Sequence, residues 1–107
     1  MTKSLFSEKG EHAKELLELI HSDVCGPMIT PAREGFSYFI TFIDDYSRYG
    51  YVYLIKYKSE AFEKFKEFRQ EVEKQLGKSI KTLRSDRGGE YLSKEFQGYL
   101  RDNGILS

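Results

Sequence analysis

The stretch KTLRSDRGGEY, residues 81–91, decides how this chain is interpreted. A short run with strand character ends in Asp86, which is followed directly by Arg87, Gly88, Gly89 and Glu90. Because glycine adopts backbone angles that other residues avoid, the two glycines would let a charged ligand approach the main chain. Asp and Gly after a strand are also typical of an ordinary turn. The stretch therefore predicts a ligand site only if a second carboxylate lies beside Asp86.

The length and charge of the chain limit the number of domains and the strength of DNA binding that we expect. The chain has 107 residues, which fits one domain or part of one. Its 17 basic and 17 acidic residues give a formal net charge of zero. Proteins that bind nucleic acid strongly through their charge are usually basic, so we expect this chain alone to bind DNA weakly.

The cysteine count and the hydropathy of the chain exclude further classes of protein. Cys25 is the sole cysteine, which rules out an internal disulfide and a cysteine-based zinc site, and His12 and His21 are too few to replace it. No apolar run approaches the ~20 residues of a membrane span, and the N-terminus lacks the apolar stretch of a signal peptide. We expect an intracellular protein with no membrane partner.

The first half of the chain is predicted to consist mainly of strands. Residues 1–15 are polar at their start and are predicted to form a loose arm, with one domain over residues 16–107. A turn or short helix leads into a predicted strand from about Leu19 to Cys25, which Gly26-Pro27 ends. Two aromatic and β-branched runs, residues 36–43 and 49–57, predict a hairpin across the Asp44–Arg48 turn, with the first strand covered on both faces.

The second half alternates helix and strand. Apolar residues at helical spacing predict a helix from Glu60 to Leu76, capped by Ser59 and Gly77. Residues 79–85 predict a strand, and Ser93 begins a second helix. The predicted order is β-β-β-α-β-α, which is an α/β fold.

Asp23 is a candidate partner for Asp86 because both lie at predicted strand ends. If the two strands are neighbours, carboxylates about 4 Å apart would repel by roughly 4 kcal/mol at an effective dielectric near 20. A bound Mg²⁺ or Mn²⁺ relieves that repulsion, since hard cations select oxygen ligands. A turn role for Asp23 remains open, and for Asp44 and Asp45 the hydrogen bonding of a turn is the favoured interpretation.

Three stretches carry a family resemblance: LELIHSDVCGPM, FSYFITFIDDYSRYGYVYLIKYKSEAFEKF and IKTLRSDRGGEYLSKEF. In this order and spacing they closely resemble the integrase core of Ty1/copia-type retrotransposons, especially those of plants. The resemblance runs from about Leu16 to Ile105. It implies a ribonuclease H-like, three-layer fold with a mixed five-stranded sheet, and a D,D-35-E triad that binds two Mg²⁺ ions. It assigns the first two catalytic, metal-binding carboxylates to Asp23 and Asp86.

The resemblance also implies a function. The parent enzyme would process 3′ ends and insert element cDNA into host DNA, as a homo-oligomer, in the nucleus or a virus-like particle. The residues themselves, rather than the resemblance, make Arg87, Gly88 and Gly89 candidates for contact with the substrate, because the glycines leave room for a phosphodiester and Arg87 could hold its phosphate or pair with Asp86. The third carboxylate of the pattern falls beyond Ser107, so we expect the 107 residues alone to be inactive.

Other functions remain open at this stage. A non-catalytic remnant or domesticated module that binds nucleic acid or protein would suit the zero net charge. A phosphate-responsive signalling domain built on Asp44 and Asp45 is disfavoured, because two strands follow one another before any helix. Half of an aspartic protease is disfavoured too, since neither Asp23 nor Asp86 begins a DTG or DSG triplet.

Overall fold

A computed structural model describes residues 12–29, 35–85 and 92–107. In these ranges the chain forms a four-stranded sheet and two helices. The elements are β1 (Leu19–Cys25), β2 (Tyr38–Asp44), β3 (Gly50–Ile55), α1 (Ala61–Leu76), β4 (Thr82–Ser85) and α2 (Lys94–Asp102). The predicted order of elements is confirmed.

The sheet is mixed, with strand order β3-β2-β1-β4. β2 pairs antiparallel with both β1 and β3, and its register sets Thr41 opposite Asp23. β4 pairs parallel with β1, where His21 lies opposite Arg84 and Ser22 opposite Ser85. β1 is therefore an inner strand, held by hydrogen bonds on both sides.

Both helices pack on the same face of the sheet. The buried side chains of this face and of the helices form one apolar cluster that includes Ile20, Ile40, Phe42, Ile55, Phe65, Phe68, Phe96 and Leu100. Phe42 stacks on Phe68 with ring centroids 4.7 Å apart, and Phe62 stacks on Phe96 at 5.0 Å. Aromatic pairs in such offset contacts add roughly 0.5–1.5 kcal/mol each to the free energy of burial.

The predicted caps are mostly correct. Gly77 takes a left-handed conformation (φ 65°) and donates its N–H to the Glu73 carbonyl at the end of α1. Ser93 Oγ accepts the Phe96 N–H at 3.1 Å at the start of α2. The prediction that Ser59 caps α1 is wrong. A 3-10 turn covers Lys58–Glu60, and Glu60 precedes α1 while its carboxylate accepts the Lys56 N–H at 2.7 Å.

The second face of the sheet is less covered than predicted. In β2, Ile40 and Phe42 are buried, whereas Thr41 and Ile43 on the opposite face are only half-buried. On β3, Val52 is 64% exposed on that second face. Of the three layers predicted, the described residues supply the sheet and one helical layer. No helix in the described ranges is long and apolar enough to cross a membrane.

The N-terminal boundary at residue 15 stays a prediction, because residues 1–11 lie outside the described ranges. From residue 12 onward the segment contacts the sheet. The Ala13 N–H donates to Asp45 at 2.7 Å, and Glu15 forms ion pairs with Lys78 and Lys81. The segment then turns at Leu17, which has a positive φ of 65°, before β1 begins.

Candidate active site

Asp23 lies near the end of β1 and faces away from the helices. Alternation along the strand buries Ile20, Ser22 and Val24 on the core face and sets Asp23 on the opposite, half-buried face. The carbonyl of Asp23 accepts a 3.5 Å hydrogen bond from Thr41 Oγ1. The backbone at Asp23 is held by its antiparallel pairing with Thr41 of β2, and the described pairing with β4 ends one residue earlier, at Ser22.

Among the described residues, one oxygen of the Asp23 carboxylate has no hydrogen-bond partner. Oδ1 is buried and has no hydrogen-bond partner among the described residues, and Oδ2 accepts only a long 3.9 Å contact from Cys25 Sγ. A buried carboxylate oxygen without a donor is unfavourable, because burial removes its water and nothing replaces it. A hard divalent cation would supply such a partner, so the Asp23 carboxylate is chemically suited to hold magnesium or manganese.

The residues predicted beside Asp23 lie outside the described ranges: Asp86, Arg87, Gly88 and Gly89. The parallel pairing of β1 and β4 is described up to Ser22 and Ser85. Ser85 Oγ is also buried without a partner within the described structure. Over the ranges that are described, no three His, Cys, Asp or Glu side chains come together as a ligand group.

Asp44 has the turn role that its sequence context favours. Its side chain is buried, and its two oxygens accept the N–H groups of Leu17 and Ser47, each at 2.8 Å. The first bond holds the N-terminal segment, and the second closes the turn between β2 and β3. Because both carboxylate oxygens of Asp44 accept hydrogen bonds, its burial requires no cation.

Asp45 is satisfied in the same way. Oδ2 accepts the Ala13 N–H at 2.7 Å, while Oδ1 lies 2.8 Å from His21 Nε2 and 3.4 Å from Arg48 Nη1. Burial alone would raise the pKa of Asp45, but the Ala13 N–H, His21 and Arg48 together outweigh burial and leave this pKa below its ordinary value. The contact with His21 was missed by sequence reasoning. The antiparallel pairing of β1 with β2, which sets Ile20 opposite Asp44, brings the two side chains together, and this pairing was not predicted from the sequence.

The comparison with protein families decides the assignment. A model described as the integrase core domain matches residues 13–107. The chain belongs to this family. The predicted resemblance to a plant Ty1/copia-type integrase core is confirmed, as is the identification of the chain as an integrase catalytic-core segment.

The curated relatives are retrotransposon polyproteins. The Retrovirus-related Pol polyprotein from transposon TNT 1-94 of Nicotiana tabacum is 46% identical over 100 residues, which span 94% of this chain and 8% of that polyprotein. The corresponding polyprotein from transposon RE2 of Arabidopsis thaliana is 34% identical, with 94% of this chain and 7% of that protein covered. The chain thus spans less than a tenth of the length of these relatives.

Solved structures show the same fold at low identity. The HTLV-2 integrase catalytic core domain in complex with magnesium, in its trimeric form, matches with a TM-score of 0.60 and 20% identity, covering 83% of this chain and 56% of that one. The simian T-cell lymphotropic virus intasome in complex with PP2A regulatory subunit B56 gamma matches with a TM-score of 0.64 and 18% identity, covering 92% of this chain and 34% of that one. The predicted ribonuclease H-like α/β fold is confirmed.

Proposed function

We propose that this core segment contributes Asp23 as a metal ligand to an integrase that joins element cDNA to host DNA by phosphoryl transfer. The observation that carries the proposal is the buried Oδ1 of Asp23, which has no partner among the described residues and lies on the face of the sheet opposite the two described helices. Membership of the integrase core family supports the reaction class.

The strand register supports Asp86 as the second ligand. Ser22 pairs with Ser85 in parallel strands, so one further step of this register would set residue 86 opposite Asp23. Residues opposite one another in parallel strands share a face, and two carboxylates there would repel each other unless a cation lay between them. We propose that Asp23 and Asp86 hold Mg²⁺ or Mn²⁺, with two ions in the complete core.

The chain's own residues would act by holding and positioning. Divalent ions, when bound, activate the attacking 3′-hydroxyl and stabilise the leaving oxygen. Asp23 would hold its side of the ion site from β1, where its backbone pairs with Thr41 of β2 and the preceding residue, Ser22, pairs with Ser85 of β4. Arg87, Gly88 and Gly89 would receive the phosphodiester, since glycine backbone permits close approach. One phosphorus–oxygen bond forms as another breaks, so the step needs no external energy source.

The partners follow from this reaction. We propose that the complete integrase binds element cDNA ends and target DNA, works as a homo-oligomer, and acts in the nucleus or a virus-like particle. The similarity to an intasome and to a trimeric integrase core supports DNA binding and oligomerisation. The 107 residues include two of the three implied carboxylates, and we expect no strand transfer from them alone.

Calorimetric titration with Mn²⁺ tests the assignment of Asp23. We expect Asp23→Asn to weaken binding at least tenfold, which corresponds to about 1.4 kcal/mol. Asp102→Asn is the matched control, because Asp102 is an exposed carboxylate at the end of α2. It should bind like the wild type. Circular dichroism of each variant confirms that the fold is retained.

Equal Mn²⁺ affinity for the wild type and Asp23→Asn would remove Asp23 from the site. A non-catalytic module that binds nucleic acid or protein would then be the better account of this chain.

A further inference from the structure

We propose that Arg84 binds a DNA backbone phosphate next to the Asp23 site. This inference deepens the proposed function and rests on it for the identity of the substrate. Arg84 lies on β4, and none of the interactions described above involves its side chain.

The register of the sheet places Arg84 correctly for this role. Arg84 lies opposite His21, and His21 shares a strand face with Asp23 two residues further along β1. Leu83, the preceding residue of β4, is buried on the core face, whereas Arg84 is exposed. With a rise of about 3.3 Å per residue and strands about 4.8 Å apart, the Cα atoms of Arg84 and Asp23 are separated by roughly 8 Å. The long side chain of Arg84 can therefore reach a backbone phosphate next to one held at Asp23.

The charges on this face leave Arg84 available. Asp45 Oδ1 already contacts both His21 and Arg48. The backbone of Arg84 belongs to the β1–β4 pairing, whereas its side chain has no hydrogen-bond or ion-pair partner within the described ranges, which end at Ser85 and resume at Leu92. A guanidinium group binds phosphate through paired, charge-assisted hydrogen bonds, which makes an exposed arginine without a carboxylate partner well suited to a nucleic-acid backbone.

A neighbouring carboxylate allows a second test, in which the expected change in DNA affinity has the opposite sign. Arg84 lines a shallow cleft of about 190 Å³ together with His12 and Glu18. The Glu18 carboxylate accepts the Lys14 N–H at 2.6 Å and makes no ion pair with Arg84. A phosphate in this cleft would be attracted by Arg84 and repelled by Glu18. Neutralising the two residues should therefore change DNA affinity in opposite directions.

The experiment measures binding of a fluorescein-labelled duplex oligonucleotide by anisotropy, over a series of KCl concentrations with EDTA present. Arg84→Gln should weaken binding and reduce the slope of log K against log [KCl] by about 0.9, the value for one phosphate contact. Arg84→Lys should keep the slope, and Glu18→Gln should strengthen binding. Arg101→Gln, which removes an exposed arginine from α2, is the control of equal charge change and should leave the slope unaltered.

Equal slopes for the wild type and Arg84→Gln would overturn the proposal, as would equal losses from Arg84→Gln and Arg101→Gln. Because EDTA removes divalent ions, this result is independent of the Mn²⁺ titration. An effect specific to Arg84, together with unchanged Mn²⁺ binding by Asp23→Asn, would retain the phosphate contact and reject the metal role of Asp23.

Discussion

Two groups of carboxylates lie at ends of strands in this molecule, and they differ in how their oxygens are satisfied. In the Asp44–Asp45 turn all four carboxylate oxygens lie within hydrogen-bonding distance of a polar partner. On β1, Asp23 has a buried oxygen with no partner in the described ranges. A carboxylate surrounded by N–H groups stabilises the fold, whereas a buried carboxylate oxygen without such a donor is suited to the divalent cation that we propose. The difference separates a structural role from a proposed catalytic one.

The largest effect should follow from Asp44→Ala. This change leaves the buried Leu17 N–H and the Ser47 N–H without their acceptor. Since a buried, unsatisfied donor costs about 1–3 kcal/mol, we expect the free energy of unfolding to fall by about 2–4 kcal/mol. Urea denaturation measures it, with Asp102→Ala as the control that should change stability little. A fall no larger than that of the control would mean that Asp44 is not a structural acceptor.

Asp45→Asn should have a smaller effect that depends on pH. The folded state lowers the pKa of Asp45, so the charged carboxylate stabilises the fold above its ordinary pKa of 3.8, and this contribution is lost as pH falls through the lower folded value. We expect Asp45→Asn to lose about 1–3 kcal/mol at pH 7. Between pH 7 and pH 3 its stability should fall less than that of the wild type. Parallel pH profiles for the two proteins would contradict the assignment.

Asp23→Asn should have the smallest effect on stability, and in the opposite direction. Without divalent ions the substitution removes the charge of a carboxylate whose buried Oδ1 has no donor among the described residues, so stability should stay the same or rise by no more than about 1 kcal/mol. The measurement is urea denaturation in EDTA. A loss comparable to that of Asp45→Asn would place Asp23 among the structural carboxylates and end the contrast between the two groups.

Much of the fold could be predicted because its patterns are local. Three features each depend on residues within a few positions of one another. They are the helical spacing of the apolar residues in α1, the Gly77 and Ser93 caps, and the extent of β1. The start of α1 could not be predicted as well, because a 3-10 turn over Lys58–Glu60 precedes it and the Glu60 carboxylate accepts the Lys56 and Tyr57 N–H groups. These contacts depend on backbone geometry that residue spacing does not contain.

The candidate site was less accessible to sequence reasoning. Alternation in β1 predicts that Asp23 and His21 share a face, and the structure agrees. Whether a carboxylate is satisfied depends on donors from distant segments, such as the Ala13 N–H for Asp45. Whether the Arg84 side chain is left without an acidic partner likewise depends on which acidic groups pair with the neighbouring basic residues. These are properties of the assembled sheet, so they could be read only once its register was known.

The parallel pairing of β1 with β4 has a consequence for folding kinetics. It joins residues that lie more than half the chain apart, with β2, β3 and α1 between them. The entropy of closing so long a loop must be met before the contact gains any stability, which favours late formation relative to the β2–β3 hairpin. A ligand held between β1 and β4 would then stabilise contacts that are absent from the transition state. We expect such a ligand to slow unfolding much more than it accelerates folding.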